Sequence, residues 1–254
     1  MKTLTIIVPT FNEADNIFRL CEELEKNLSD IPYHVLFVDD SLDNTPEIIK
    51  ELMKVNSKVQ LHHREDEKGL ATAVLKGFEL AKGDYIAVMD ADLQHPPYIL
   101  RDMYVALAVG EADICIPSRF IPGGSDGGLN LYRSFVSGTA RYMGKIVLPC
   151  LRKLTDPTSG LFMFKREIMQ GAYEMKPIGW KIMIEVLATC TFKKIIEIPY
   201  SFQNRVSGES KLSSKVTMQY IRQIFDLRKR GKKQREIIVE RWSLEELERR
   251  KANI

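Results

Sequence analysis

The sequence predicts an α/β protein: a mainly parallel, doubly wound sheet that carries an amphipathic helical appendage at its carboxyl end. Three observations predict it. From Leu4 onward, short apolar runs alternate with helical periods across short loops, the pattern of successive β-α-β units. Polar, oxygen-rich clusters fall at the carboxyl ends of those runs, where open α/β sheets bind ligands. After Lys211 the chain turns helical and basic, with seven Lys/Arg and one acid, Asp226, between Arg222 and Arg235.

Leu4 to Val8 reads as a strand ended by Pro9. The helix after Asn12 places Ile17, Leu20, Leu24 and Leu28 on one face. Tyr33 to Val38 is a second strand, closed by Asp39-Asp40, and Thr45-Pro46-Glu47 opens a helix with a cap residue, a first-turn proline and an acid. Val59 to His62 is a strand, Leu70 to Ala81 a helix, residues 84–89 a strand, Pro97 to Val109 a helix and Ile114 to Ile116 a strand. The glycine-rich stretch Ile121 to Gly128 reads as a mobile lid. A helix from Leu131 to Pro149 follows. Strands at Gly160–Lys165 and Ile195–Tyr200 flank a helix over Trp180–Thr189. Ser243-Leu-Glu-Glu246 is a capping box that opens a last charged helix. The expected division is residues 1–213 as the main domain and 214–254 as basic amphipathic helices.

Composition narrows the classes. The 254 residues are 44% hydrophobic and 28% charged, values ordinary for a globular protein. Cys21, Cys115, Cys150 and Cys190 are widely spaced and form no C-x-x-C pair, so a zinc or redox centre is disfavoured and a reducing, cytoplasmic setting is expected. Residues 1–10 read as a strand rather than a leader, and no run approaches the roughly 18 apolar residues of a membrane span. The absence of G-x-G-x-x-G and of G-x-x-x-x-G-K-[ST] disfavours dinucleotide dehydrogenases and P-loop enzymes.

The most informative cluster is Asp90-Ala91-Asp92-Leu93-Gln94, directly after the apolar run Tyr85–Met89. In an extended segment Asp90 and Asp92 share a side. Two carboxylates that close repel each other unless a cation lies between them. Such hard oxygen donors suit Mg²⁺ or Mn²⁺ shared with substrate phosphates. A lone D-x-D is also an ordinary helix-capping loop, so other clusters must decide.

They are Pro9-Thr-Phe-Asn-Glu13, Val38-Asp-Asp-Ser41, Lys68-Gly-Leu70, Ser118-Arg-Phe120 with Gly123-Gly124, Asp156-Pro-Thr-Ser-Gly160 and Arg205-Val-Ser-Gly-Glu-Ser-Lys-Leu212. In this order and spacing, over roughly residues 3–213, the chain resembles the inverting family-2 glycosyltransferases of GT-A fold, and among them the dolichol-phosphate mannose synthases. The resemblance implies a nucleoside site at Pro9, Phe11, Glu13, Val38 and Asp40, with Asp40 accepting from the N–H donors of guanine. It implies Asp92 and Gln94 as ligands of Mg²⁺ or Mn²⁺, with Asp90 and Ala91 against the donor. Arg119, Arg133, Arg205 and Lys211 would meet the donor and acceptor phosphates, with Asp92, Arg119 and Arg133 closest to the chemistry. Glu185 is a base by analogy with other family-2 enzymes, or a helix carboxylate paired with a cation. His62, His63 and His95 have no chemical role in this reading.

The reaction implied is metal-dependent transfer of a hexose, mannose from GDP-mannose first, to a polyprenyl or dolichyl phosphate with inversion. Alternatives are a UDP-glucose-dependent polyprenyl-phosphate glucosyltransferase, an enzyme acting on a soluble glycan, or a non-catalytic nucleotide-sugar-binding subunit. The chain departs from the pattern in two places. Asn44 stands where a glycine is usual, which opens the choice between GDP and UDP. Leu161-Phe162 stands where an aromatic and a basic residue are common, which removes a charge from the acceptor side. In the tail, Val216, Tyr220, Ile221, Ile224 and Leu227 recur at helical spacing before Arg228-Lys229-Arg230. Such a helix either lies on an anionic membrane surface, at the cytoplasmic face, or packs on the domain. Nothing in the tail has the aromatic–basic interleaving of a nucleic-acid binder.

Overall fold

The computed structural model describes all residues except 128–130, 171–174, 177, 204–213, 232–235 and 253–254; of 131–137 and 214–216 only the backbone is described. An eight-stranded sheet runs in the order β3-β2-β1-β4-β6-β5-β7-β8. Its strands are β1 (Leu4–Thr10), β2 (Tyr33–Asp39), β3 (Val59–His63), β4 (Tyr85–Val88), β5 (Ile114–Ser118), β6 (Phe162–Lys165), β7 (Lys194–Pro199) and β8 (Ile238–Arg241). All neighbouring pairs are parallel except those of β6, which runs against both β4 and β5. The sheet is mainly parallel and wrapped on both faces, as expected.

Helices α1 (Ala14–Leu28), α2 (Thr45–Val55), α4 (Ile99–Ala108) and α8 (Leu244–Lys251) cover one face. The other is covered by α3 (Leu70–Leu80), α5 (Leu131–Val147), α6 (Ile182–Thr189) and α7 (Ser214–Arg230). Burial on both faces explains why the strands read as continuous apolar runs: β1, β4 and β5 have no exposed position. The α1 stripe Ile17, Leu20, Leu24 and Leu28 is fully buried, as its periodicity required.

Pro9 does not end β1, which continues to Thr10. The β1–β4 ladder stops at Ile7↔Val88, so the ring falls where no ladder bond is asked of its missing N–H. The tail is also different. The expected helices are there as α7 and α8, but residues past 213 also supply β8, paired in parallel with β7, and Leu247 of α8 joins Trp242 in the core under α4. The short strand Ile-Val-Glu-Arg was hidden between two basic helical stretches. The serine half of the capping box is present: Ser243 Oγ accepts from Glu246 N–H at 3.1 Å, while the Glu246 carboxylate takes Arg249 and Arg250. The glycine-rich segment expected as a lid is bridged at Ser125, whose N–H donates to the Tyr200 carbonyl (3.0 Å) while its carbonyl accepts from Phe202 N–H (2.9 Å).

Candidate active site

The strand order 2-1-4 puts a topological switch point between β1 and β4, and the carboxyl ends of β1, β2, β4, β5 and β7 all open on that edge. At the end of β1 the chain turns through Asn12, a non-glycine residue at φ 58°. The turn is stitched to β2: Thr10 Oγ1 donates to Asp39 Oδ1 (2.6 Å), Asn12 N–H to Ser41 Oγ (2.8 Å) and Leu42 N–H to Asn12 Oδ1 (2.9 Å). Glu13 N–H donates to Thr45 Oγ1 (3.0 Å), and its carboxylate receives Asn16 Nδ2 (2.7 Å). Asp39 is fully buried and holds Thr10, Ser41 and His63 Nδ1 (2.7 Å), so the first of the two aspartates is a structural tie.

Asp40, expected to meet the base, is already engaged. Arg64 Nε and Nη2 donate to its two oxygens, and Gly69 N–H adds a bond at 2.8 Å. A carboxylate offers about four lone-pair sites. These bonds leave room for a single further donor, so a two-donor grip on guanine through Asp40 requires Arg64 to move. Pro9 and Val38 are register partners and buried, whereas Phe11 projects, 40% exposed, from the same edge.

β4 stops at Val88, and Met89 N–H still bonds the Ile7 carbonyl at 3.0 Å. Residues 90–94 form a turn, not the extended segment expected. Leu93 takes φ 59° with its side chain in the core, and this reversal lets Asp92 Oδ1 accept Gln94 N–H at 3.1 Å. Strained backbone held by packing is common at functional sites. Gln94 is anchored to Gln203, by a carbonyl-to-N–H bond at 2.9 Å and by Nε2 at 3.4 Å, which turns its Oε1 to the opposite side of the amide. Two carboxylates and an amide oxygen fit a hard divalent ion. Among the described residues no group of three or more His, Cys, Asp and Glu gathers as a closed cage. An ion at Asp92 and Gln94 therefore needs further oxygens from a ligand, as phosphate-bound Mg²⁺ and Mn²⁺ do. Ala91 is buried behind the turn, and Gly160 passes so close that a Cβ there would sit 3.0 Å from Asp90 Oδ2.

Across from this turn Arg119 leaves β5. Its Nε and Nη2 donate to Asp156 at 2.7 and 2.9 Å; the Asp156 side chain is fully buried and that of Arg119 is 9% exposed. Burial works against the guanidinium charge, but the Asp156 hydrogen bonds and charge outweigh it and raise the pKa. Lys181, which the sequence did not single out, donates to the Thr158 carbonyl and lies 4.0 Å over the Trp180 ring. Burial, then the Arg119 charge, push its pKa down to about 8, against the pull of Asp156 and Asp90. His95 is buried, stacked on Tyr200 and edge-on to Phe202. Burial, then Arg119 and Lys181, lower its pKa to about 3, so it is a neutral aromatic spacer.

The structure thus gathers Pro9, Phe11, Glu13, Val38, Asp40, Asp90, Ala91, Asp92, Gln94 and Arg119 along one sheet edge. Arg205 and Lys211 lie outside the described residues, as does the side chain of Arg133, whose backbone is in the first turn of α5. Glu185 does not face the reaction as a base. Its fully buried carboxylate takes Arg230 at 3.0 and 2.8 Å and Gln223 at 3.1 Å, both from α7, and burial raises its pKa. Arg64 and Lys181 escaped the sequence reading because neither stands in a local pattern; only the fold brings them to Asp40 and Asp156.

A mainly parallel sheet with a carboxylate–amide turn at its switch point and a largely enclosed arginine opposite is the architecture of a glycosyltransferase of GT-A type. The sequence pattern described as "Glycosyl transferase family 2" matches residues 5–171, and the chain belongs to that family. It is 40% identical over 227 residues to a dolichol-phosphate mannosyltransferase of Pyrococcus furiosus, which covers 89% of this chain and 64% of that protein. It is 35% identical over 235 residues to the dolichol-phosphate mannosyltransferase of Saccharomyces cerevisiae, covering 88% of this chain and 86% of that one. The fold is shared with mannosyl-3-phosphoglycerate synthase from Rubrobacter xylanophilus (TM-score 0.64, 20% identity, 88% of this chain and 73% of that one). It is also shared with glucosyl-3-phosphoglycerate synthase from Mycobacterium tuberculosis, solved with Mn²⁺ and UDP (TM-score 0.62, 17% identity, 89% and 78%).

Proposed function

We propose that the protein transfers mannose from GDP-mannose to a polyprenyl (dolichyl) phosphate, with inversion, using Mg²⁺ or Mn²⁺. The observation that carries this reading is the turn at Asp90–Gln94 facing Arg119, in a chain whose relatives are named dolichol-phosphate mannosyltransferases.

Asp92 and Gln94 would hold the ion together with the donor's phosphates. The bound ion neutralises the charge that grows on the leaving diphosphate. Arg119, held by Asp156 and largely out of solvent, adds a permanent positive charge whose direction needs little reorganisation. The Asp39 tie holds the β1 and β2 turns that form the nucleoside edge. The acceptor needs no strong base: a phosphate monoester has a second pKa of about 6 and is largely a dianion at neutral pH. That agrees with Glu185 being spent on Arg230 and with His95 being neutral and enclosed.

The acceptor's lipid suggests where the protein works. The expected stripe on α7 is not available to a bilayer, because Tyr220, Ile224 and Leu227 are buried against the domain. Exposed apolar side chains occur instead as Tyr142 and Ile146 on α5, and Met218 and Phe225 on the packed neighbour α7, whose last turn carries Arg228 and Lys229. This face fits peripheral attachment to an anionic membrane surface. Free thiols at all four cysteines fit the cytoplasmic side. Among the described residues no helix is long and apolar enough to cross a membrane.

The test is transfer of labelled sugar into organic-extractable lipid, with GDP-mannose and UDP-glucose offered in parallel and a polyprenyl phosphate as acceptor. Lipid label from GDP-mannose alone, abolished by chelator, is the expected result. Label from UDP-glucose alone would replace the donor, and no label from either would overturn the reading.

A further inference from the structure

Glu197 is a fully buried carboxylate in the middle of β7. A buried charge is costly unless it is paired and its lone pairs are filled. Glu197 Oε1 accepts Thr155 N–H (2.7 Å), Thr155 Oγ1 (2.8 Å) and Asp156 N–H (3.4 Å). Its Oε2 accepts Arg241 Nε at 3.1 Å. Arg241 is its register partner on β8, and the same guanidinium donates from Nη2 to the Lys153 carbonyl at 2.6 Å. On the near side, Ser118 Oγ meets Thr155 Oγ1 at 2.6 Å. Residues 154–161 have no helix or strand of their own, so no backbone ladder sets the path of the loop. These side chains set it, and the loop's Asp156 is what grips Arg119.

We propose that Glu197 and Arg241 are positioning residues for the reaction: through the 153–156 loop they aim the Asp156 carboxylate, and so fix the direction of the Arg119 guanidinium toward the donor's phosphates. The catalytic edge thereby depends on β8, a strand from the far end of the chain. This rests on the proposed reading of Arg119 as a phosphate-binding cation.

The test uses full-length ¹⁵N-labelled protein and the Nε–H resonance of Arg119, assigned by its loss in Arg119→Lys. Arg241→Met changes a half-exposed side chain and should fold; Glu197→Gln keeps shape and removes charge. Both are expected to shift or broaden the Arg119 resonance. Both should also raise the KM for GDP-mannose about tenfold, the scale of a small misplacement, with kcat less affected. Arg241→Lys should restore part of the effect. In an Arg119→Lys background, Arg241→Met should add nothing, because coupled residues are non-additive. An unchanged Arg119 resonance in both variants, or a full additive loss on Arg119→Lys, overturns the proposal. A moved resonance together with normal transfer by Arg119→Lys itself supports the relay and overturns the phosphate role of Arg119.

Discussion

Arg64 grips Asp40 with two parallel hydrogen bonds, Nε to Oδ1 at 2.7 Å and Nη2 to Oδ2 at 2.6 Å, with both side chains almost wholly out of solvent. Removing one partner strands the other's charge. Arg64→Met is expected to cost about 3–5 kcal/mol and to lower Tm by on the order of 10 °C. Thermal unfolding followed by circular dichroism checks it. Adding Asp40→Asn to Arg64→Met should recover part of the loss, and no recovery would mean that Arg64 acts through Thr72 and the Gly69 carbonyl instead.

Asp92→Ala should leave the fold intact, because the turn is also held by the buried Leu93 and by Gln203. Transfer should fall by about 10²–10³-fold, the scale for losing one preorganised electrostatic group. Measured rates across an Mn²⁺ titration, beside an unchanged far-ultraviolet spectrum, would decide. Wild-type activity in the variant would remove the metal role.

Gly160→Ala places a methyl 3.0 Å from Asp90 Oδ2 and 3.5 Å from His95 Nε2. The carboxylate must shift by a few tenths of an ångström. Activity should drop about tenfold, since catalytic geometry is intolerant of small displacements, while Tm moves little. The comparison of turnover with thermal stability in the same preparation is the check.

His95 has a folded pKa near 3, well below the ordinary histidine value, through burial first and then Arg119 and Lys181. The unfolded chain therefore binds a proton that the folded protein refuses. Stability from this site is complete above pH about 6.5 and is lost as pH falls toward 3. The loss should approach about 1.4 kcal/mol per pH unit in that window. His95→Phe, which keeps the packing on Tyr200, should flatten the slope of urea-unfolding free energy between pH 6 and pH 4, to an extent of about one proton. An unaltered slope would assign the acid sensitivity elsewhere.

The apolar face of α5 and α7 has its own test. Ile146→Glu and Phe225→Glu alter exposed residues and should leave the unfolding free energy unchanged within about 0.5 kcal/mol. Each should weaken co-sedimentation with anionic vesicles by about tenfold, the loss of one inserted side chain. Equal sedimentation would separate membrane attachment from this face.

Much of the sheet was legible because each strand is buried on both faces and bounded by turn chemistry: Leu4–Val8, Tyr33–Val38 and Tyr85–Met89 announce themselves as apolar runs. The Asp90–Gln94 cluster was legible because its oxygen donors are local. What was hidden is what depends on distance. Asp40 and Arg64 are 24 residues apart, Arg119 and Asp156 37, and Glu197 and Arg241 44. No periodicity couples such positions. β8 was missed for a related reason: its Glu-Arg end follows the charge pattern of the surrounding helices, and only its seat beside β7 makes it a strand.

A strand that runs against its neighbours delivers its entrance, not its exit, to the edge where they deliver theirs. β6 does this between β4 and β5, so chain leaving the sheet at Asp90 meets chain about to enter it at Gly160. The two halves of the cleft are consequently written in opposite reading directions. A change of length in the 152–161 segment is absorbed before β6 begins and leaves the β4 register alone. Such a change spares the strands and falls instead on Asp156 and Gly160, the two points at which the facing wall meets Arg119 and Asp90.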